Sequence, residues 1–356
     1  MLEFLGSKYQ ISETMLQAMK WIEIEKRFSV LRDWRNPLED RILISGIDLA
    51  LGAIEDCLQR SNKDPKSIGM VVHVTNSPGQ KLPADLSSIL AGMSGLSPSV
   101  MPLPIYGMGC AALVTAFQQI NIYLQCNPGQ QVLLAVSEVQ TPYCQFPDTQ
   151  RIRHYLEICA DESVRSDAVE LEMRHCGDIF NSILFGDGAV AFLLGSEGGS
   201  FSVGPEFEPI TNIDPEDNYL VSADQGGSPI RHHPGGEGRI YLDARVATVG
   251  AKYAKLVAEG VLAKSGLSVD GIDRFLIHTG SAKIVRGVMR ELGQGEQMDK
   301  ARIPLDVLRN HGNMSAASIG MMIPQLINSG FSPGQIALVL AFGAGFHANG
   351  TLLRAL

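Results

Sequence analysis

Glu55-Asp-Cys-Leu-Gln-Arg-Ser-Asn-Lys-Asp-Pro-Lys-Ser-Ile-Gly-Met-Val-Val-His-Val-Thr-Asn-Ser77 has an echo further along the chain. Glu55, Leu58, Ser61, Ile68, Thr75 and Ser77 recur as Glu259, Leu262, Ser265, Ile272, Thr279 and Ser281, at a constant offset of 204 with no gap. At an offset of 203, Gly109-Cys110 falls on Gly312-Asn313, and at 205, Pro128-Gly129-Gln130 falls on Pro333-Gly334-Gln335. The chain therefore reads as two copies of one unit. Each copy puts a polar residue at the start of an equivalent helix, Cys110 in the first and Asn313 in the second. A duplicated fold brings such positions together across a pseudo-twofold axis.

Within each copy, short runs rich in Val, Ile and Leu alternate with helical stretches. The strand candidates are 68–75, 131–136, 189–194, 274–278 and 335–341. Their near-continuous hydrophobicity suits strands covered on both faces. The helical stretches are 47–58, 111–124, 244–264, 283–292 and 316–327. Together they predict a mixed α/β sheet in each copy. The glycine-rich Gly198-Gly199-Ser200 marks the divide, giving units 1–199 and 200–356. Residues 148–176 are charge-rich and have no counterpart in the repeat, so they read as an insert, a surface helix or a lid. Residues 222–238 read as a loop.

Composition bounds the function. The chain has 356 residues, 45% hydrophobic and 19% charged, enough apolar material for a substantial core. A net charge of −9 argues against general nucleic-acid binding. No apolar run reaches the length of a membrane span, and the first residues lack the pattern of a signal peptide. The six cysteines (57, 110, 126, 144, 159 and 176) show no metal-type spacing. They suit a reduced, cytoplasmic protein.

Cys110 follows Gly107-Met-Gly109 and opens an alanine-rich helix. Glycines permit a sharp turn, and a turn feeding a helix presents a nucleophile at the helix N-terminus. The helix dipole there favours a thiolate. The other five cysteines read as packed small hydrophobes. His278 ends the apolar run Arg274-Phe-Leu-Ile and stands where the first copy has Val74, so the fold does not require histidine there. His73, His154, His175, His311 and His347 read as structural, and His232-His233 as loop residues with no metal between them. Asn313, in Asn310-His-Gly-Asn-Met-Ser315, reads first as an N-cap whose amide N–H stays free to donate. Phe342-Gly-Ala-Gly-Phe346 is a turn able to aim a backbone N–H, which with the Cys110 amide would make an oxyanion hole.

Taken together these pieces resemble the thiolase-like condensing enzymes, in particular the 3-oxoacyl-acyl-carrier-protein synthase III family and the chalcone-synthase-like type III polyketide synthases. The carriers are Gly109-Cys-Ala-Ala112, Phe185-Gly-Asp-Gly-Ala189, His278, His311-Gly-Asn-Met-Ser-Ala-Ala-Ser318 and Phe342-Gly-Ala-Gly345, in family order. The resemblance implies duplicated βαβαβαββ halves in five layers, α-β-α-β-α, and a homodimer or paralogue heterodimer. It implies a Cys110–His278–Asn313 triad with oxyanion amides at Cys110 and Ala344. No cofactor is implied; the substrates are acyl thioesters of coenzyme A or acyl carrier protein. Cys110 would take an acyl group, and a second, decarboxylating thioester would supply the carbanion. His278, kept neutral, and Asn313 would donate to the enolate oxygen.

The chain also departs from the pattern. Thr279-Gly-Ser281 follows His278 where fatty-acid initiation enzymes have Gln-Ala-Asn, and Asn313-Met-Ser315 is the polyketide-synthase form. That points to a ketosynthase of secondary metabolism, one that joins two acyl chains fitting well. Some relatives of that kind use an extra glutamate, to which Asp85 is the nearest match. Two other readings stay open: transfer of the Cys110-bound acyl group to an alcohol or amine, and a non-catalytic partner subunit. Arg286 and Arg290, four apart on one helical face and followed by Lys300 and Arg302, are the expected dock for a carrier protein or coenzyme A phosphate.

Overall fold

The computed structural model describes residues 23–31, 44–77, 86–143, 181, 183–223, 240–243 and 245–356. The 148–176 insert, Asp85, Cys144, Cys159, Cys176, His154, His175 and His232-His233 lie outside the described residues, as does the 222–238 loop beyond Ala223.

The first unit runs α1 (Gly46–Ser61), β1 (Ile68–Thr75), α2 (Leu86–Met93), β2 (Met101–Tyr106), α3 (Ala112–Cys126), β3 (Gln131–Glu138) and β4 (Gly188–Gly195). The second runs β5 (Phe201–Val203), β6 (Ile210–Thr211), β7 (Val221–Ala223), β8 (Ile240–Leu242), α4 (Val246–Ser265), β9 (Arg274–Ile277), α5 (Ala282–Glu291), α6 (Arg302–His311), α7 (Ala316–Asn328), β10 (Ile336–Gly343) and β11 (His347–Ala355). One sheet has the order β2-β1-β3-β4 and the other β5-β11-β10-β9, with β6 on β11. The sheets repeat one plan. β1 lies parallel to β3 and β3 antiparallel to β4; β9 lies parallel to β10 and β10 antiparallel to β11.

Strand periodicity sets the layers. Met70, Val72 and Val74 of β1 and Val132, Leu134 and Val136 of β3 point into a central core. Ile68, Val71, Leu133 and Ala135 point the other way, onto α1 and α2. In the second sheet Leu276, Ala337, Val339 and Ala341 face the centre, while Phe275, Ile277, Leu338, Leu340 and Phe342 face α4 and α5. The central layer is α3 and α7, whose Leu113, Phe117, Ile120, Ile319, Met322 and Ile323 fill the space between the sheets. This gives five layers: α1/α2, sheet, α3/α7, sheet, α4/α5. Because side chains alternate across a strand, burying both faces requires the continuous apolar runs seen in the sequence.

α1 is closed by a capping box between Ser45 and Asp48 and ends on Asn62 at φ 49. At the starts of α3 and α7, the two helices that reach the site, the N-cap residues Ala111 and Ser315 make no side-chain cap bond of their own. β2 was not among the sequence's strand candidates, because Pro102 and Pro104 disguise it; it survives as an edge strand against β1 alone.

Candidate active site

The candidate residues gather where β1, β3, β9 and β10 end and where α3 and α7 begin. Cys110 lies in the turn Gly109–Ala111 that feeds α3. Gly107 and Gly109 take φ of 74 and 55, the left-handed region that disfavours a side chain. The turn Ala344–Phe346 follows β10 directly. These two backbones touch. A Cβ built on Gly109 would run into the Ala344 nitrogen, and one on Gly343 into the Cys110 nitrogen. The Cys110 and Ala344 amides therefore meet in a single backbone contact, at the opening positions of their turns, where N–H groups have no acceptor within the turn.

His278 extends β9 by one residue, its N–H bonded to the Leu340 carbonyl at 2.8 Å. Its side chain is 2% exposed and meets Phe342 edge-on, with ring centroids 6.3 Å apart. Nδ1 is buried with no partner among the described residues. Burial holds the ring far below its ordinary value, at about 3, which keeps the imidazole neutral near pH 7.

Asn313 is pinned by its backbone. Its N–H donates to Leu184 O at 2.8 Å and its carbonyl accepts from Gly186 N at 3.0 Å, a parallel bridge between Phe185 and Asn313. The Phe185-Gly-Asp-Gly element thus has a mechanical task. Asp187 holds that loop in turn, taking N–H groups from Val30, Gln140 and Thr141. Asn313 is not the N-cap the sequence suggested. Ser315 occupies that position, and Asn313 Oδ1 accepts the Ser315 N–H at 2.9 Å in an Asx turn. With Oδ1 so engaged, Nδ2 is the end of the amide left to donate.

The sequence reading missed a buried polar group beneath these residues. Glu138 ends β3 with no exposed surface. Its carboxylate accepts from Asn76 N and Nδ2, Ser77 Oγ, Gln140 Nε2 and Ala316 N, at 2.6–3.3 Å. Burial raises its pKa, against the pull of those donors. An acid closing an otherwise apolar run, Val132-Leu-Leu-Ala-Val-Ser-Glu138, was the available signal. Cys110 keeps some exposed surface, yet its thiol is pushed up to about 12. Burial is the main cause, and the Glu138 charge adds to it, while a hydrogen bond with Ser315 pulls the other way. The thiolate expected from the helix start is therefore not the resting form.

A model of the 3-oxoacyl-[acyl-carrier-protein] synthase III C-terminal domain matches residues 262–355. The polyketide synthase-like Pks18 of alpha-pyrone synthesis, from Mycobacterium tuberculosis, is 24% identical over 97% of this chain and 80% of its own. The 3,5-dihydroxyphenylacetyl-CoA synthase of Streptomyces toyocaensis is 26% identical over 86% of this chain and 71% of its own. Among solved structures, the C-terminal type III polyketide synthase domain of Steely1 from Dictyostelium superposes with a TM-score of 0.76, at 20% identity, over 99% of this chain and 93% of that one. The chain has the thiolase-like fold of the 3-oxoacyl-acyl-carrier-protein synthase III and type III polyketide synthase group.

Against that fold, the expected dock is altered. Both guanidinium nitrogens of Arg286 bind the Glu23 carboxylate, at 2.7 and 2.9 Å, so its charge is matched within the chain. Arg290, on the same exposed face of α5, has no side-chain partner among the described residues. Neither a cluster of metal ligands nor a helix long and apolar enough to cross a membrane is present among the described residues.

Proposed function

We propose that the protein is a ketosynthase that forms a carbon–carbon bond between two acyl thioesters through an acyl group carried on Cys110. The observation that carries this reading is the contact between Gly109-Cys110 and Gly343-Ala344. It joins a cysteine at the start of a helix to two backbone amides suited to one oxyanion.

In the first half-reaction the Cys110 sulfur attacks the thioester carbonyl. The tetrahedral oxyanion takes hydrogen bonds from the Cys110 and Ala344 N–H groups, and the carrier thiol leaves. In the second, a malonyl-type thioester loses CO2. The enolate oxygen that forms accepts from His278 and from Asn313 Nδ2. Neutral His278 suits this role, because a neutral imidazole donates without handing over its proton too early. The enolate carbon attacks acyl-Cys110, expels the thiol and leaves a 3-oxoacyl thioester. Polyketide or other secondary metabolism is the setting supported by Asn313-Met-Ser315 and by relatives named as polyketide synthases.

The test has two steps. Intact-mass measurement after incubation with a panel of acyl thioesters should show one acyl adduct, mapped to Cys110 and absent in Cys110→Ala. Adding a malonyl thioester should then release a 3-oxoacyl product or its pyrone. Loading followed by transfer to an added alcohol or amine, with no carbon–carbon bond formed, would favour an acyltransferase instead. No adduct at all would leave the chain as a partner subunit.

A further inference from the structure

Among the described residues the Ser315 hydroxyl has two polar neighbours: Cys110 Sγ at 3.5 Å and Asn76 Nδ2 at 3.2 Å. The identity of the second is fixed by its surroundings. That atom also faces Gly109 O at 2.9 Å and Glu138 Oε1 at 2.6 Å, so it is the amide nitrogen and not the oxygen. An amide nitrogen donates and does not accept. Of the two neighbours, only the Cys110 sulfur can receive the Ser315 proton.

The backbone is arranged to keep it there. Ser315 sits at φ 48, ψ −128, a conformation costly for any residue with a Cβ. It is 4% exposed, and its place is held from both sides. Its own N–H binds Asn313 Oδ1, and the next N–H, of Ala316, binds Glu138 Oε1 at 3.3 Å. A strained residue clamped by two buried polar groups, with its hydroxyl turned to the nucleophile, calls for a functional explanation.

We infer that Ser315 is a hydrogen-bond donor to the Cys110 sulfur and that Asn76, anchored on Glu138, is the positioning residue that aims it. The inference rests on the reading of Cys110 as the nucleophile. It gives a desolvated thiol a partner that strengthens as charge gathers on sulfur, both at loading and when the carbanion expels the thiol. Among the described residues, Glu138 is the charged group that acts on Cys110, and the other titratable groups on the elements around the site are two histidines. Glu138 ends β3, His278 ends β9, and His347 begins β11 and binds Thr115 Oγ1 of α3. The first turns of α3 and α7 and the turn Ala344–Phe346 bring none.

The test is the alkylation rate of Cys110 with iodoacetamide at fixed pH near 8, read from the mass of the peptide carrying it. Exposed Cys126 serves as the internal control. Losing a donor to a charged group lowers the thiolate fraction about tenfold or more. The higher intrinsic nucleophilicity of the less acidic thiol returns part of that, so a net fall of about three- to tenfold is expected. Both Ser315→Ala and Ser315→Gly should show it. The glycine variant also relaxes the backbone, which separates loss of the hydroxyl from misfolding. Asn76→Ala should slow alkylation by itself and should add nothing in a Ser315→Gly background. Unchanged or faster alkylation in both serine variants overturns the donor role. Additive slowing in the double variant overturns the positioning role of Asn76. No thioester is used, so these rates report on Ser315 even in a chain that fails to condense, and the two readings can fail separately.

Discussion

Gly343 lies against Cys110 so closely that a methyl group on its Cα would overlap the Cys110 amide nitrogen. The turn after β10 and the turn before α3 are thus fitted to each other backbone to backbone, with no side chain between them. Gly343→Ala must push the two apart. We expect a stability loss of about 1–3 kcal/mol, read by urea unfolding. Cys110 loading should slow about 10²–10³-fold, read by acyl-adduct formation. Wild-type stability and loading together would show that the contact is not present in solution.

Asn313→Ala and His278→Ala should separate the two half-reactions. Each removes a donor to the enolate and should slow condensation by about 10²–10³-fold, while adduct formation on Cys110 falls far less. A single-turnover assay that measures adduct and product separately decides it. Equal loss of both in Asn313→Ala would contradict the role given to its Nδ2.

The pH dependence of folding carries the signature of His278. Its pKa is lowered on folding, from an ordinary value of 6.5 to about 3. The native state therefore resists a proton that the unfolded chain accepts. This contribution is fully present above 6.5 and is lost as the pH falls toward 3. His278→Gln should flatten that part of the stability–pH curve, as measured by denaturant midpoints across pH 4–7. An unchanged slope would mean that the ring is solvated.

Glu138→Ala should be among the most damaging changes outside the reacting groups. It strands donors on Asn76, Ser77, Gln140 and Ala316 in a dry site, at about 1–3 kcal/mol for each one left unsatisfied. Glu138→Gln, which keeps one acceptor oxygen, should recover part of the loss in thermal unfolding. Equal loss in the two variants would mean that volume, not hydrogen bonding, is what Glu138 supplies.

Much of this was legible before any coordinates. The span Ile68–Thr75 was marked to the residue, because a strand buried on both faces is written mostly in residues such as Val, Ile and Met, here with Gly69, His73 and Thr75 among them. The repeat anticipated that β9 and β10 would copy β1 and β3. Elements whose sequences obey a second constraint stayed hidden. β2 carries two prolines, and β11, His-Ala-Asn-Gly-Thr-Leu-Leu-Arg-Ala, begins with polar residues that bind Thr115 and Gln118 on the facing helix α3. At the site, glycine turns and a strand-end histidine are local signals. The Glu138–Asn76–Ser315 cluster is not, because its members come from residues 62 and 239 positions apart. The inversion of the thiol's acidity was equally out of reach: a helix terminus is visible in sequence, while the desolvation that outweighs it is a property of the packed site.

Pro102 and Pro104 stand two apart in β2, so their missing N–H groups fall on one side of the strand, which an edge strand tolerates on the side away from its partner β1. That edge presents carbonyls but no donors at either position. A neighbouring strand meets a ladder that lacks two donors, which blunts the fibril-prone rim that an open sheet of Val, Ile and Leu would otherwise expose. Any assembly across this rim would draw more on side chains such as Met101 and Tyr106, both surface-exposed, than on a continued ladder.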